Sequence, residues 1–436
     1  MHGEVVKNRC GHRLARDGDA DLGDIRVTAV INKRLADIAA SHGTPLYVYA
    51  GDGIRDDFTR FAAAVAPVNG TVHFALKANS ALGVIALLAR QGAGADIVSG
   101  GEMERALAAG VAADKIVFSG VGKTAAEIGT ALDACIGQIN AESTAEVEAV
   151  SRIAAARGVT APVALRVNVD VAPDTHAKIS TGQRSTKFGV STAQNEAATL
   201  YRRLAGDAHI RPAGLAVHIG SQILDLDPFE RAYTALLDFG SALRGEGLPV
   251  PILDLGGGIG VDYEAGIATD FTAYGKLVSR IFADSGFQLG FEPGRSIVAN
   301  NGALLTRVIY IKDGDNKRFV IVDAAMNDLL RPTLYEAHHA VLPLAPAGPA
   351  EGLADIVGPV CETGDYLAQD RMMPALGEGD GLAVMSAGAY GAVMASSYNS
   401  RPPAGEVMVL DGECHVLRRQ RDVAELLAEE VIPALS

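Results

Sequence analysis

From about residue 50 to residue 300 the chain alternates short runs of β-branched and apolar residues with longer Ala- and Leu-rich segments of helical period. Few architectures accept that pattern. A run too short to be a helix, followed by a segment long enough to be one and repeated in the same order, marks successive βα units. Eight strand candidates occur: Val72–Leu76, Ala95–Val98, Ile116–Ser119, Gln138–Asn140, Val163–Val169, Gly214–Ile219, Ile252–Leu255 and Gln288–Phe291. Between them fall helix candidates at Ser80–Gln91, Gly101–Ala109, Ala125–Ala134, Thr144–Arg157, Asn195–Ala205, Pro228–Arg244 and Phe271–Ser285. Eight such units predict an α/β fold of the (β/α)8 TIM-barrel type rather than an open sheet.

After residue 300 the texture changes to β-branched runs broken by Gly, Pro and Asp: Leu304–Lys312, Arg318–Val322, Asp355–Val360, Gly381–Met385 and Glu406–Leu410. A mostly β C-terminal domain, barrel or sandwich, is expected there. The N-terminal segment, with a strand candidate at Asp24–Val30, is expected to join it. The boundaries read 46–300 for the barrel, and 1–45 plus 301–436 for the β domain, with a terminal helix over Val423–Leu435. A chain of 436 residues is long enough to fill two cores.

A net charge of −14 removes any electrostatic case for nucleic acid or an anionic membrane surface. Cys10, Cys135, Cys361 and Cys414 are widely spaced, which argues against a disulfide framework and a zinc site and fits a reducing cytoplasm. The first ten residues lack an uninterrupted apolar stretch, so neither export nor a membrane span is expected.

A barrel carries its active site at the carboxyl ends of the strands, so polar residues that close apolar runs carry weight. Lys77 and Asn79 close the first run, Asp96 and Ser99 flank the end of the second, and Arg166 and Asn168 lie late in the fifth. His218 and Ser221 close the sixth, Gly256, Gly257 and Gly258 the seventh, and Glu292 the eighth. Singly these read as a solvated lysine, a structural Asp96–Arg166 pair, a core histidine and a tight turn. Their joint placement at one rim outweighs those readings.

Lys77 ends the run Thr71-Val-His-Phe-Ala-Leu-Lys77, and an amine at an apolar strand mouth is expected to have its pKa lowered by desolvation. Such an amine can condense with an aldehyde. The backbone of Leu255-Gly-Gly-Gly-Ile-Gly260, with Gly220 and Ser221, makes an anion nest of the kind that holds a phosphate, although it matches no complete nucleotide motif. A reactive lysine, a phosphate nest, the flat ring of His218 and the carboxylate of Glu292 at one rim describe a site for pyridoxal 5′-phosphate. Glu292 would pair with the ring nitrogen and keep it protonated. That choice favours chemistry through a stabilised carbanion, such as decarboxylation.

The chain resembles the fold-type III pyridoxal-phosphate decarboxylases, and among them the branch that acts on diaminopimelate. The resemblance rests on His218-Ile-Gly-Ser-Gln222, Glu292-Pro-Gly-Arg295, Met326-Asn-Asp-Leu-Leu-Arg-Pro-Thr-Leu-Tyr335, Cys361-Glu-Thr-Gly-Asp365 and Gly388-Ala-Tyr-Gly391. Thr181-Gly182 and Lys187-Phe-Gly189 resemble the segment after the fifth strand. The resemblance implies that Lys77 is the Schiff-base lysine and that Gly258, Gly294 and the rest of the Glu292-to-Arg295 turn contact the cofactor. Tyr390 would lie near cofactor and substrate. Arg295, Arg331, Tyr335 and Glu362 would bind substrate, and Cys361 would return a proton to the carbanion.

The same resemblance implies a homodimer in which the Cys361 loop enters the partner's site, and conversion of meso-2,6-diaminopimelate to L-lysine and carbon dioxide. Its arginines suit the carboxylate of the unreacting end, and Glu362 suits the ammonium. Phe74, Thr363 and Pro403 depart from the usual pattern without removing a chemical group. The rival expectations are a decarboxylase of ornithine, lysine, arginine or carboxynorspermidine, and a catalytically silent regulatory relative. A racemase fits less well, because its ring nitrogen usually faces an arginine rather than a carboxylate like Glu292.

Overall fold

The computed structural model describes residues 28–171, 187–264, 269–315 and 317–434. Thr181-Gly182, Cys10 and the first part of the Asp24–Val30 strand candidate lie outside them. The strands follow the chain as β1 (Leu46–Ala50), β2 (Gly70–Ala75), β3 (Gly94–Ile97), β4 (Ile116–Phe118), β5 (Gln138–Ala141), β6 (Ala161–Asn168) and β7 (Val190–Ser191). Next come β8 (Ile210–Ala216), β9 (Ile252–Asp254) and β10 (Gln288–Phe291). Leaving aside β1 and β7, these eight strands pair in parallel all the way round, β10 returning to β2, and close a (β/α)8 barrel. Each of the eight expected runs is one of these strands, displaced by at most a few residues at its ends.

The second sheet holds β1 with β11 (Gly302–Asp313), β12 (Arg318–Val322), β13 (Val341–Pro343), β14 (Gly352–Val357) and β15 (Tyr366–Met373). It is completed by β16 (Gly381–Val384), β17 (Gly405–Leu410) and β18 (Glu413–Arg418). Here β1 runs antiparallel to β11 and parallel to β17. Residues 46–50, expected in the barrel, therefore belong to the second sheet by their pairing, and the helix Gly51–Val65 leads from it into β2. An apolar run of five residues fits either sheet; only its hydrogen-bonding partners decide.

The strand expected at Asp24–Val30 is also corrected, since Thr28–His42 is a helix. Leu35, Ile38 and Ala39 recur at helical spacing and bury one face against Leu46, Val48, Leu305 and Met385 of the second sheet. The terminal helix is shorter than expected and spans Val423–Leu427. Among the described residues no helix is long and apolar enough to cross a membrane.

Around the barrel, Phe61, Phe229, Tyr233, Phe271, Tyr274 and Phe291 are buried together. They meet mostly edge to face, as in Phe61–Phe271 at 5.3 Å and 88°. This cluster clamps the helices Gly51–Val65, Asp227–Gly245 and Phe271–Phe282 onto β10. It thereby fixes the strand that ends in Glu292.

Candidate active site

Residues from both sheets enclose a cavity of ≈ 860 Å³ at the carboxyl ends of the barrel strands. Lys77, His218, Ser221, Glu292 and Arg295 reach it from the barrel, and Arg331, Tyr335 and Tyr390 from the second domain. The two halves are latched beside Lys77. Asn79 Nδ2 donates to the Gly388 carbonyl at 3.0 Å, and the Tyr390 amide donates to the Ala78 carbonyl at 2.8 Å. Asn79, expected as a rim group, is thus a structural link, and Ser99 caps the helix Gly100–Ala108 by accepting from the Glu102 amide.

Lys77 lies in the turn Leu76–Ala78 that follows β2. Its Nζ meets Asp96 Oδ2 at 2.8 Å, with Asp96 fully buried and about a third of the Lys77 side chain open to the cavity (32%). Burial alone lowers the pKa of this amine, as expected from sequence. Asp96, Glu292 and Tyr390 outweigh it and hold the pKa above the ordinary lysine value. The expected depression is therefore corrected: a desolvated lysine titrates low only when no carboxylate follows it inside. Asp96 pairs with Lys77 and Arg166 with Glu142 (3.0 Å), so the two do not pair with each other.

The glycine turns act by backbone approach. A Cβ at Gly257 would lie 2.1 Å from the Glu292 carbonyl oxygen, and one at Gly258, where φ is +113°, would lie 2.3 Å from the Gly220 carbonyl oxygen. The Gly257 amide donates to His218 Nδ1 at 3.3 Å. This leaves the neutral imidazole its proton on Nε2. Burial, Lys77 and Arg166 push the His218 pKa well down, so the ring facing the cavity is uncharged. Gly294 packs against Ala75 and Ala78 on either side of the Lys77 turn.

Arg295 opens the short helix Arg295–Val298. It donates to Ser221 Oγ at 2.9 Å and to Tyr263 Oη at 2.6 Å, and its guanidinium lies 4.6 Å from the Tyr390 ring centre. Arg331 is buried with its guanidinium 4.4 Å from the Tyr263 ring centre. It meets His339 Nε2 at 2.7 Å while His339 Nδ1 meets the Met385 carbonyl at 2.8 Å. Burial and Arg331 push the His339 pKa down to about 3, so His339 is neutral and can accept from the arginine. Arg331 Nε is buried with no partner among the described groups, which leaves this arginine with unused donor capacity.

Sequence reasoning missed Tyr263, His339 and the buried polar set Ser119, Asn140, Gln138 and Asp254. Tyr263, on the cavity wall, and His339, behind Arg331, were hidden because both lie outside the strand ends. The others sit within or just after strands, where their inward orientation could have been read from the period-two pattern. Cys361 and Glu362 are exposed, and neither is among the residues that line this chain's cavity. The Cys361 amide donates to Asn399 Oδ1 at 3.0 Å.

The residues fit pyridoxal 5′-phosphate. Asp96 Oδ1 is a buried acceptor with no partner among the described groups, beside the one lysine of the cavity wall. The glycine turns leave backbone where a side chain would fill the space, and Glu292 faces the same cavity.

Residues 52–299 match the family described as "Pyridoxal-dependent decarboxylase, pyridoxal binding domain". The chain is 49% identical over 399 residues to a diaminopimelate decarboxylase of Pseudomonas aeruginosa, covering 91% of this chain and 95% of that protein. It is 46% identical over 401 residues to a diaminopimelate decarboxylase of Zymomonas mobilis, covering 91% and 94%. The crystal structure of diaminopimelate decarboxylase from Helicobacter pylori complexed with L-lysine superposes with a TM-score of 0.87 at 40% identity, over 91% of this chain and 98% of that one.

Proposed function

The chain belongs to the pyridoxal-dependent decarboxylases, and from that premise we propose that it removes one carboxylate of meso-2,6-diaminopimelate as carbon dioxide and yields L-lysine, the last step of lysine synthesis. The observation that carries the reading is Arg331, a buried arginine on the wall of the cavity that also holds Lys77. A substrate ending in an amine alone has no use for it. Diaminopimelate brings a second carboxylate, and an arginine with a free donor suits that group through directed hydrogen bonds.

Pyridoxal phosphate, when bound, supplies the electron sink that lets the bond to the departing carboxylate break. Lys77 provides the amine that bonds the cofactor's aldehyde, and Asp96 holds that amine as an ammonium until it reacts. Glu292 holds a proton at the ring nitrogen. Neutral His218 would offer an uncharged wall to the ring, and Ser221, Gly257, Gly258, Gly294 and Arg295 would hold the phosphate. Arg295, Arg331, Tyr335 and Tyr390 grip the substrate end that does not react. A substrate lacking the distal carboxylate would leave Arg331 unpaired in a buried site, a penalty that discriminates strongly.

Cys361 and Glu362 complete the site from a second copy of the chain, Cys361 as the proton donor at the emptied carbon. Their exposure here and their absence from this chain's cavity wall support a homodimer with shared sites. The enzyme works in the cytoplasm, in keeping with its separated cysteines.

Carbon dioxide release compared on meso-diaminopimelate, ornithine, lysine and arginine tests the substrate. Turnover of any of the last three at or above that of diaminopimelate would refute the assignment. Co-expression of Lys77→Ala with Cys361→Ala chains tests the sharing: mixed dimers regain activity that neither variant has alone, and no recovery in isolated mixed dimers rejects it.

A further inference from the structure

Below Glu292 the barrel interior holds a second carboxylate on a ring of hydrogen bonds. Gly290 and Glu292 share the inward face of β10, and Gly290 pairs in register with Asp254 of β9. The Asp254 carboxyl carbon lies 3.4 Å from where a Cβ at Gly290 would stand, in ordinary van der Waals range. Asp254 is 1% exposed, and its side chain reaches that of Glu292. Asp254 Oδ1 accepts from the Gly256 amide at 3.0 Å. Asp254 Oδ2 accepts from Gln138 Nε2 at 3.4 Å, which also donates to Asn140 Oδ1 at 2.7 Å. Asn140 Nδ2 then donates to Ser119 Oγ at 3.0 Å, and Ser119 Oγ donates to Glu292 Oε1 at 3.5 Å.

We propose that Asp254 is the second carboxylate of the ring-nitrogen site: set against Glu292, it holds a proton at the Glu292 end, where the cofactor's ring nitrogen would take it. The inference rests on the reading of Glu292 as the ring-nitrogen partner.

Two carboxylates in contact inside a barrel repel when ionised, so Glu292 holds on to its proton. Burial, Asp254 and Asp96 raise the Glu292 pKa well above the ordinary carboxyl value, and Lys77 opposes them. These are the charged groups that act on it from β9, β3 and the turn after β2; Ser119 and Asn140 add neutral hydrogen bonds from β4 and β5. With the cofactor bound, a proton on the ring nitrogen would lie beside Glu292 with Asp254 behind it. The Asp254 charge then resists loss of the proton from the ring. Asp254 is a positioning residue, since it acts through Glu292, and the Gln138–Asn140–Ser119 chain holds it in place.

The holoenzyme loaded with pyridine-15N-labelled pyridoxal phosphate tests this through the 15N shift of the ring nitrogen as a function of pH. Asp254→Asn keeps the acceptor for the Gly256 amide and removes the charge. It is expected to move deprotonation of the ring nitrogen down by about 1 to 3 pH units. Gln138→Met keeps the charge and cuts the chain; it is expected to move deprotonation the same way by less. Glu292→Gln is the control for the underlying reading. Loss of ring protonation in Glu292→Gln, with wild-type titration in Asp254→Asn, overturns the role of Asp254 alone. A wild-type titration in Glu292→Gln overturns the ring-nitrogen assignment and the inference with it. If Asp254→Asn does not fold, a wild-type titration in Gln138→Met rejects the proposal.

Discussion

Lys77 Nζ and Asp96 Oδ2 stand 2.8 Å apart, joined across neighbouring barrel strands at the floor of the cavity. The pair makes the amine harder to deprotonate than a free lysine, despite its desolvation. Because the folded pKa is raised, the stability this pair contributes is fully present below the ordinary lysine pKa and is lost as pH rises through the folded value. Asp96→Asn removes the foremost of the charges that raise it. The pH midpoint for formation of the visible-light-absorbing adduct between the free protein and added pyridoxal phosphate should fall by about 1 to 3 units. Absorbance titration reads this directly, and an unmoved midpoint contradicts the pairing. Lys77→Ala should lose both that absorbance and turnover, and should unfold below the wild-type temperature because the buried Asp96 carboxylate loses its partner.

Glu292 has a linkage of the same sign in a lower pH window. Its folded pKa is raised, so the unfolded chain ionises first as pH rises, and stability falls between the ordinary carboxyl value and the raised one. Glu292→Gln should relieve that cost by about 1.4 kcal/mol for each unit by which the carboxyl is raised. Urea unfolding of the cofactor-free protein should show the variant gaining on wild type at about pH 8 relative to about pH 4. Decarboxylation should fall by about 10²-fold or more. A variant equally stable at both pH values, relative to wild type, would show that burial does not perturb this carboxyl.

Arg331 is held by neutral His339 at 2.7 Å and faces the Tyr263 ring at 4.4 Å. Arg331→Lys cannot reproduce the planar fork, so it should lower kcat/KM on meso-diaminopimelate by roughly 10²-fold, mostly through KM. The preference over lysine and ornithine should narrow with it. Steady-state kinetics on the three substrates measure both effects, and unchanged selectivity would remove Arg331 from substrate recognition.

Phe61 is 1% exposed and meets Phe271, Tyr274 and Phe291 at 5.3, 5.9 and 6.0 Å. Phe61→Ala should cost about 3–5 kcal/mol of stability by opening a cavity in that cluster. Phe61 is not among the residues that line the active-site cavity. Specific activity of the folded protein at low temperature should therefore stay close to wild type while the denaturation midpoint drops.

Much of the molecule is legible in the chain. The eight runs from Val72 to Phe291 are barrel strands because each is short, apolar and followed by a helical period, all local properties. Lys77, His218, Ser221 and Glu292 follow from the same logic, since a barrel gathers its strand ends at one mouth, whereas Arg295 came only with the family resemblance. Among what escaped were the place of residues 46–50, the helix at Thr28–His42 and the direction of the Lys77 pKa. The first depends on which distant strands offer free backbone groups. The second turns on whether the buried face repeats every two residues or every three to four, which five or six residues do not reveal.

The sequence by itself determined the barrel, the lysine after its first strand, the glycine turns and the carboxylate after its last strand, because hydrophobic period and strand-end chemistry are written along the chain. Tertiary structure alone decided which charge meets which. Asp96 is 19 residues from Lys77 in the chain, and Asp254 is 116 from Gln138, yet hydrogen bonds join each pair inside the barrel. Coulomb interactions depend on distance and on the burial that removes water's screening. Neither quantity exists until the chain has closed on itself.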